Sequence, residues 1–301
     1  MQQKKYEKIL CFGEVLWDML PSGAKPGGAL LNVAIHLKKQ GESPILISKA
    51  GNDEEGKKLI QFITTAGLDH RFIQTDFELP TSKVLVHLDG NKNATYEICE
   101  PVAWDNIGMN REIEKEAASA GLIIYGSLAS RKETTRRTLL EIFEASEAVR
   151  LLDVNLRPPY DNPVWIEKLL HLSDFVKLND FELATIASWN KMTGKTSRLI
   201  TWFSEFYQCP EVCVTRGENG AIFLSGTDTY DHPGFRVNAV DTVGAGDSFL
   251  ASLVASLSNH IQPQIALEKA CATGALVASR PGAVPEYDEN DINKIINSSD
   301  H

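Results

Sequence analysis

Short apolar runs alternate along this chain with amphipathic stretches of helical spacing, and that alternation constrains its fold more than any other feature. Ile9 to Phe12, Pro44 to Ser48, Leu122 to Tyr125, Leu151 to Val154, Phe175 to Leu178 and Val212 to Thr215 have strand length and are mostly apolar, as strands buried on both faces are. Between them, Glu54–Ala66, Lys132–Ala148 and Thr196–Tyr207 carry apolar residues at helical intervals. Strand and helix in alternation predict right-handed crossovers and a mainly parallel sheet covered by helices, a Rossmann-like three-layer α/β sandwich. Ligands of such sheets bind beyond the carboxyl ends of the strands.

One region departs from this pattern. Lys83–Leu88 and Ala94–Cys99 alternate as strands about the turn Asp89-Gly90-Asn91, and a further short strand is expected near Val15–Leu20. Together they predict a small β-sheet apart from the main one, built from about residues 14–24 and 71–105. Such an excursion beside a cleft acts as a lid or as a contact between two copies of the chain. No repeat or linker divides the sequence, so residues 1–301 are expected to form one unit.

The formal charge of −10 is spread along the chain without a basic block, which argues against nucleic acid as a partner. The five cysteines have no regular spacing, and Cys209 with Cys213 lacks the further ligands of a metal clip, so reduced thiols are expected. The first residues lack the apolar run of a signal peptide, and no stretch approaches the ~20 apolar residues that span a bilayer. A cytoplasmic protein without membrane contact is the expectation.

The segment Asp241-Thr-Val-Gly-Ala-Gly-Asp-Ser-Phe249 carries the most chemistry. Gly244 and Gly246 let the backbone turn tightly around Ala245 and bring amides close to an anion. Phe249, Leu250, Leu253, Val254 and Leu257 mark a buried helical face just downstream, so these glycines open a helix, where N–H groups and dipole favour negative charge. Asp247 lies in that first turn. It reads as a helix-dipole partner, or as a carboxylate that accepts a proton from an alcohol attacking a phosphoryl group held by the turn. With the ordinary aspartate pKa of about 3.9 it is expected to be ionised at neutral pH.

DTVGAGDSF resembles, residue for residue, the second signature of the PfkB-type sugar kinases of the ribokinase-like superfamily. The opening of Gly27-Gly-Ala-Leu-Leu-Asn-Val-Ala-Ile-His-Leu-Lys-Lys-Gln-Gly41 resembles their first signature. The resemblance implies a ribokinase-like fold and transfer of the γ-phosphate of ATP to a primary hydroxyl of a small sugar. It implies Asp247 as the base, the Gly244-Ala245-Gly246 turn as the anion hole, and Asp18, Gly27, Gly28 and Asn32 as sugar ligands. Lys49 to Gly56 resembles a structural landmark of the family. Asn179 and Glu182 match its Asn-x-x-Glu pattern near the nucleotide phosphates and Mg²⁺, although alone that pattern is a capping box. Thr215, Gly217 and Gly220 match its nucleotide-binding turn, and the helix around residues 272–275 is expected to face the adenine. Asp241, Val243, Arg280 and Gly282 match the carbonyl-lined K⁺ site, where Glu286 replaces a smaller polar residue.

Asp153-Val-Asn155-Leu-Arg157 resembles the strand end of fructokinases and of 2-keto-3-deoxygluconate kinases, and Arg157 departs from the ribokinase pattern. Fructose is the expected substrate and the keto-acid sugar the alternative, with Arg157 and Arg131 as the cations available to a carboxylate. Adenosine ranks behind both. Tyr96, Trp104 and Asp105 are candidates to close over the sugar. A catalytically silent sugar-binding protein is the competing class, but the base and the turn glycines are all present. The Gly-x-Gly-x-x-Gly turn of a dinucleotide oxidoreductase is absent after the first strand.

Overall fold

The computed structural model describes residues 5–20, 23–88 and 94–298. Its strands are β1 (Ile9–Phe12), β2 (Leu16–Leu20), β3 (Gly23–Gly27), β4 (Ile45–Gly51), β5 (Ile73–Asp76), β6 (Ser82–Leu88) and β7 (Ala94–Ile98). They continue with β8 (Leu122–Gly126), β9 (Val149–Asp153), β10 (Phe175–Asn179), β11 (Glu211–Thr215), β12 (Ala221–Ser225) and β13 (Asp228–His232). The helices are α1 (Ala29–Lys39), α2 (Glu54–Thr65), α3 (Arg111–Ala118), α4 (Glu133–Glu144) and α5 (Pro163–His171). Then follow α6 (Asp180–Trp189), α7 (Thr196–Tyr207), α8 (Ala245–Ser258), α9 (Pro263–Ala278) and α10 (Glu289–Asn297).

Nine strands form the main sheet in the order β13-β12-β11-β10-β9-β8-β1-β4-β5. Every pairing from β11 to β5 is parallel, while β12 and β13 add an antiparallel edge. The period of two along each strand explains the layers. Ile9 and Cys11 of β1 join a core with α1, α2, α8 and α9, whereas Leu10 and Phe12 join the opposite core with α3 to α7. Both faces are therefore sealed, and polar chemistry is confined to the strand ends. All six expected core strands are found within two or three residues of their expected limits.

The second sheet has the order β3-β2-β6-β7, with β2 and β6 parallel. It is smaller than expected at one end, because Ile73–Asp76 pairs with Ser48–Gly51 and so extends the main sheet. It gains β3, whose Gly23-Ala-Lys-Pro-Gly27 sequence lacks the alternation that marks a strand and is ordered by pairing with β2. The expected turn at residues 89–91 lies outside the described residues. Asp53 fastens the base of this sheet to α2: its carboxylate accepts from the Gly56 amide (2.7 Å), the Thr81 amide (2.8 Å) and the Thr81 hydroxyl (2.6 Å). The structural role expected for residues 49–56 follows from these bonds. All five cysteines are free. Among the described residues, no helix is long and apolar enough to cross a membrane.

Candidate active site

The glycine turn before α8 lies beside the Ala283 segment and the first turn of α1. Gly244 has φ 79° and caps α8 without a side-chain hydrogen bond. A Cβ there would lie 2.3 Å from the Ala283 carbonyl oxygen, so glycine is required both by backbone angle and by close approach. The amides that open α8 have no preceding helical carbonyl to bond, and the helix dipole adds partial positive charge at the same place. Asp247 belongs to this first turn and keeps a solvent-facing edge, while protein surrounds the rest of its carboxyl.

The sugar-side candidates converge on Asp247 from another direction. Asn32, in the first turn of α1, donates from Nδ2 to Asp247 Oδ2 at 2.9 Å. Gly28 precedes that helix with φ 118°, and a Cβ on it would meet the Glu14 carbonyl at 2.4 Å. Asp18 projects from β2 over Gly27, its Oδ2 only 2.2 Å from where a Gly27 Cβ would stand. Arg157 follows β9 in an exposed position, donating, among the described residues, only to the neighbouring Leu156 carbonyl (3.1 Å). Asn155, at φ 42°, makes the left-handed turn that delivers it. The structure thus brings Asp18, Gly27, Gly28, Asn32, Arg157 and Asp247 to one cleft.

Electrostatics changes one expectation. Burial, reinforced by the nearby Asp153 carboxylate, pushes the Asp247 carboxyl up to about 6, against the opposing pull of Lys177, Asn32 and Arg157. Asp247 therefore titrates nearer neutrality than an ordinary aspartate, although at neutral pH most of it is still ionised. Burial raises Asp18 as well, partly offset by Arg157.

Three functional candidates were not singled out by sequence reasoning. Lys177 and Asp153 form a buried pair beneath the turn, with Lys177 Nζ at 3.0 and 3.1 Å from the two Asp153 oxygens. A Cβ on Gly246 would lie 3.2 Å from that same Nζ. Burial opposes the lysine charge, but Asp153, Asp247 and Glu182 outweigh it and hold its pKa above the usual value. Glu14 is buried beside Gly28, accepting from the Ala29 amide at 3.0 Å through Oε1, while Oε2 has no hydrogen-bond partner among the described residues. A charged residue inside an otherwise apolar strand, as in Phe-Val-Lys177-Leu, was the available signal for the pair.

At the nucleotide side, Asn179 and Glu182 make the capping box: Glu182 N donates to Asn179 Oδ1 (2.8 Å) and Asn179 N to Glu182 Oε2 (2.8 Å). Glu182 Oε1 accepts from Leu156 N at 2.9 Å, which ties the Arg157 loop to α6. Thr215 lies in register with Asn179 on the neighbouring strand. Gly217 faces open space at φ 57°, whereas a Cβ on Gly220 would collide with the His232 carbonyl at 2.0 Å. Asp241 bridges two loops, accepting from Val243 N (3.1 Å) and from Gly282 N (3.0 Å). Arg280 directs its side chain to the Glu286 carbonyl and to Asp291 (3.0 Å). The Glu286 side chain is 96% exposed and paired with Lys39 at 3.0 Å, so it does not close the loop as a ligand. Among the described residues there is no cluster of three His, Cys, Asp or Glu that would hold a metal alone.

Arg131, Trp104 and Asp105 do not line the sugar cleft, contrary to expectation. Arg131 is 3% exposed and bidentate to Asp105 at 2.7 and 2.9 Å, with its guanidinium stacked between the Trp104 (4.1 Å) and Tyr160 (4.4 Å) rings. A guanidinium held this way braces the base of the second sheet and has no freedom to meet a substrate. Arg131→Met should lower unfolding stability by about 3–5 kcal/mol, because Asp105 is left buried without its partner. Urea denaturation reads that loss, and a sugar KM within about threefold of the parent protein would agree with a purely structural role. The Tyr96 side chain lies outside the described residues.

Comparison with known proteins agrees with this geometry. A model described as pfkB family carbohydrate kinase matches residues 6–290. A fructokinase of Klebsiella pneumoniae is 29% identical over 301 residues, covering 92% of this chain and 95% of its own. The structure of a Xylella fastidiosa fructokinase with bound ATP superposes with a TM-score of 0.85 at 23% identity, covering 98% of this chain and 99% of that one. A Vibrio cholerae O395 fructokinase in fructose, ADP and calcium ion bound form gives 0.82 at 22% identity, covering 97% and 99%. These two likenesses show the shared fold. With a family match running along nearly the whole chain, and the glycine turn and Asp247 placed at its cleft, this protein belongs to the pfkB family of carbohydrate kinases, phosphotransferases that act on a sugar hydroxyl.

Proposed function

We propose that the protein is an ATP-dependent fructokinase that transfers the γ-phosphoryl group to a primary hydroxyl of the sugar, with Asp247 as the base. The observation that carries this reading is the convergence of Asp18, Asn32 and Asp247 beside the amides that open α8, with Asn32 bonded to Asp247 at 2.9 Å. In the proposed mechanism, Asp18 accepts from two sugar hydroxyls and Asn32 and Gly28 hold the ring. Asp247 takes the hydrogen bond of the attacking hydroxyl and receives its proton as the oxygen–phosphorus bond forms. The bond to the leaving ADP oxygen breaks in line, and the amides of Gly244, Ala245 and Gly246 stabilise the charge on the transferring oxygens. The second sheet serves as a lid that excludes water, and its edge is the proposed contact in a homodimer.

ATP is assigned to Asn179, Thr215, Gly217 and Gly220, with the purine between α9 and Val240 and Val243, large apolar side chains left 65% and 52% exposed beside the turn. Both oxygens of Glu182 already accept from backbone amides, so this carboxylate fits a hydrated Mg²⁺ held chiefly by the nucleotide rather than a directly bound ion. Such an ion would neutralise charge between the phosphates. Carbonyl oxygens of Asp241, Val243, Arg280 and Gly282 are assigned to K⁺, whose contribution would be to stiffen the turn.

A second reading, a 2-keto-3-deoxygluconate kinase, is favoured by one observation. Arg157 stands exposed with, among the described residues, only its neighbour's carbonyl as hydrogen-bond partner, a cation available to a sugar carboxylate. ADP release with MgATP and K⁺ across fructose, ribose, 2-keto-3-deoxygluconate and adenosine separates these readings. Turnover on fructose alone supports fructokinase, and preference for the keto-acid assigns Arg157 to its carboxylate. No turnover on any of the four removes the fructose assignment and favours a silent sugar-binding protein.

A further inference from the structure

His36 is completely buried on α1, one turn beyond Asn32. Its Nε2 lies 2.9 Å from the Ala283 carbonyl oxygen and its Nδ1 lies 2.9 Å from the Tyr287 hydroxyl. A carbonyl only accepts, so the proton belongs on Nε2, and Nδ1 accepts from the tyrosine. The two rings stack at 5.7 Å and 21°. Burial holds the imidazole neutral, with its pKa lowered to about 4, and this keeps one tautomer in place.

The carbonyl that His36 grips is the one against which Gly244 is packed. A Cβ on Gly244 would lie 2.3 Å from the Ala283 oxygen and 2.7 Å from the Ala283 Cα, so this segment is the wall behind the glycine turn. From the other side, Gly282 N is held by Asp241 at 3.0 Å. The turn has no side-chain cap of its own. Its position is set by what stands behind it. One helix therefore reaches the catalytic geometry twice: Asn32 meets the Asp247 carboxyl directly, and His36 meets the wall behind the anion-binding amides.

We propose that His36 is a positioning residue that fixes the Gly244–Gly246 turn relative to the sugar-binding helix, acting through the Ala283 carbonyl. A buried N–H on α1 locks the distance between the sugar-binding helix and the amides that receive the phosphoryl oxygens, so sugar-side and phosphate-side groups move as one body. A displacement of the order of 1 Å in such an arrangement costs about 10²-fold in rate. The kinetic part of this inference rests on the sugar-kinase reading. The structural part does not.

The test compares His36→Phe, which keeps a ring and loses both bonds, with His36→Gln, whose Nε2 can reach the place of the imidazole Nε2. In protein labelled with ¹⁵N-glycine, the Gly244 and Gly246 amide resonances report the turn with no substrate present. His36→Phe is expected to shift or broaden both, and His36→Gln to restore them. On the sugar that turns over, kcat should fall about 10–100-fold in the Phe variant with the sugar KM within about threefold, and should recover in the Gln variant. Unmoved glycine amides in His36→Phe overturn the proposal, whether or not a sugar has been found. Equal impairment of the Gln and Phe variants also overturns it, because ring packing and not the bond would then be responsible. If His36→Phe does not fold, His36→Asn keeps a polar group near the place of Nδ1 and has none that reaches the Ala283 carbonyl. Displaced amides then support the link, and unmoved ones reject it.

Discussion

Replacing Asp247 by Asn should lower turnover by about 10²–10⁴-fold, the range expected for removal of a positioned base, while sugar affinity stays near that of the parent protein. The amide is isosteric and its oxygen can still accept from Asn32, whose Nδ2 lies 2.9 Å away, so the cleft keeps its shape. What is lost is the acceptor for the hydroxyl proton. The parent protein should show a matching acidic limb. Because burial raises Asp247 to about 6, the ionised form declines as pH falls through that value, and kcat/KM should drop with it. Asp247→Asn should be flat across the same range. Equilibrium sugar binding and a pH–rate profile measure both effects, and near-normal turnover in the variant would remove Asp247 from the mechanism.

Lys177→Met is the second large effect. The ammonium lies 3.0 and 3.1 Å from the Asp153 oxygens and lowers the pKa of Asp247, so its removal leaves two carboxyls close together in a buried place. Without the ammonium the Asp247 pKa rises further, and the acidic limb of the pH–rate profile should move above about 6. At neutral pH turnover should fall about twofold if the limb moves up by one pKa unit and about tenfold if it moves by two, with recovery as pH rises. Stability should also fall by about 3–5 kcal/mol, since Asp153 loses its ion-pair partner inside the core. A loss of equal size at every pH would show that Lys177 acts on phosphate position rather than on the charge of the base.

Parts of this arrangement were legible in the residues and parts were not. The parallel core strands could be placed because burial on both faces leaves a nearly continuous apolar run, a local signal. Thr196–Tyr207 was placed to the residue because its apolar stripe is uninterrupted. β3 was missed because its residues have no strand preference of their own. β5 was assigned to the wrong sheet, since which neighbour Ile73–Asp76 joins is a matter of long-range pairing. Asp18, Asn32 and Asp247 were singled out through their motifs, and the fold joins Asn32 to Asp247. Arg131 was misread because a charged residue near a motif looks the same in sequence whether it faces solvent, substrate or a buried Asp105.

By itself, then, the amino-acid sequence determined the layered α/β architecture, the glycine turn at a helix start and the carboxylate placed beside it. Each of these depends on residues within a few positions of one another. Only the tertiary structure decided the charge state of Asp247, the Lys177–Asp153 pair below it, the burial of Arg131 and the grip of His36 on Ala283. Each of those depends on side chains far apart in the chain. Their energies come from desolvation and from partners within about 4 Å, and neither exists until the chain has folded.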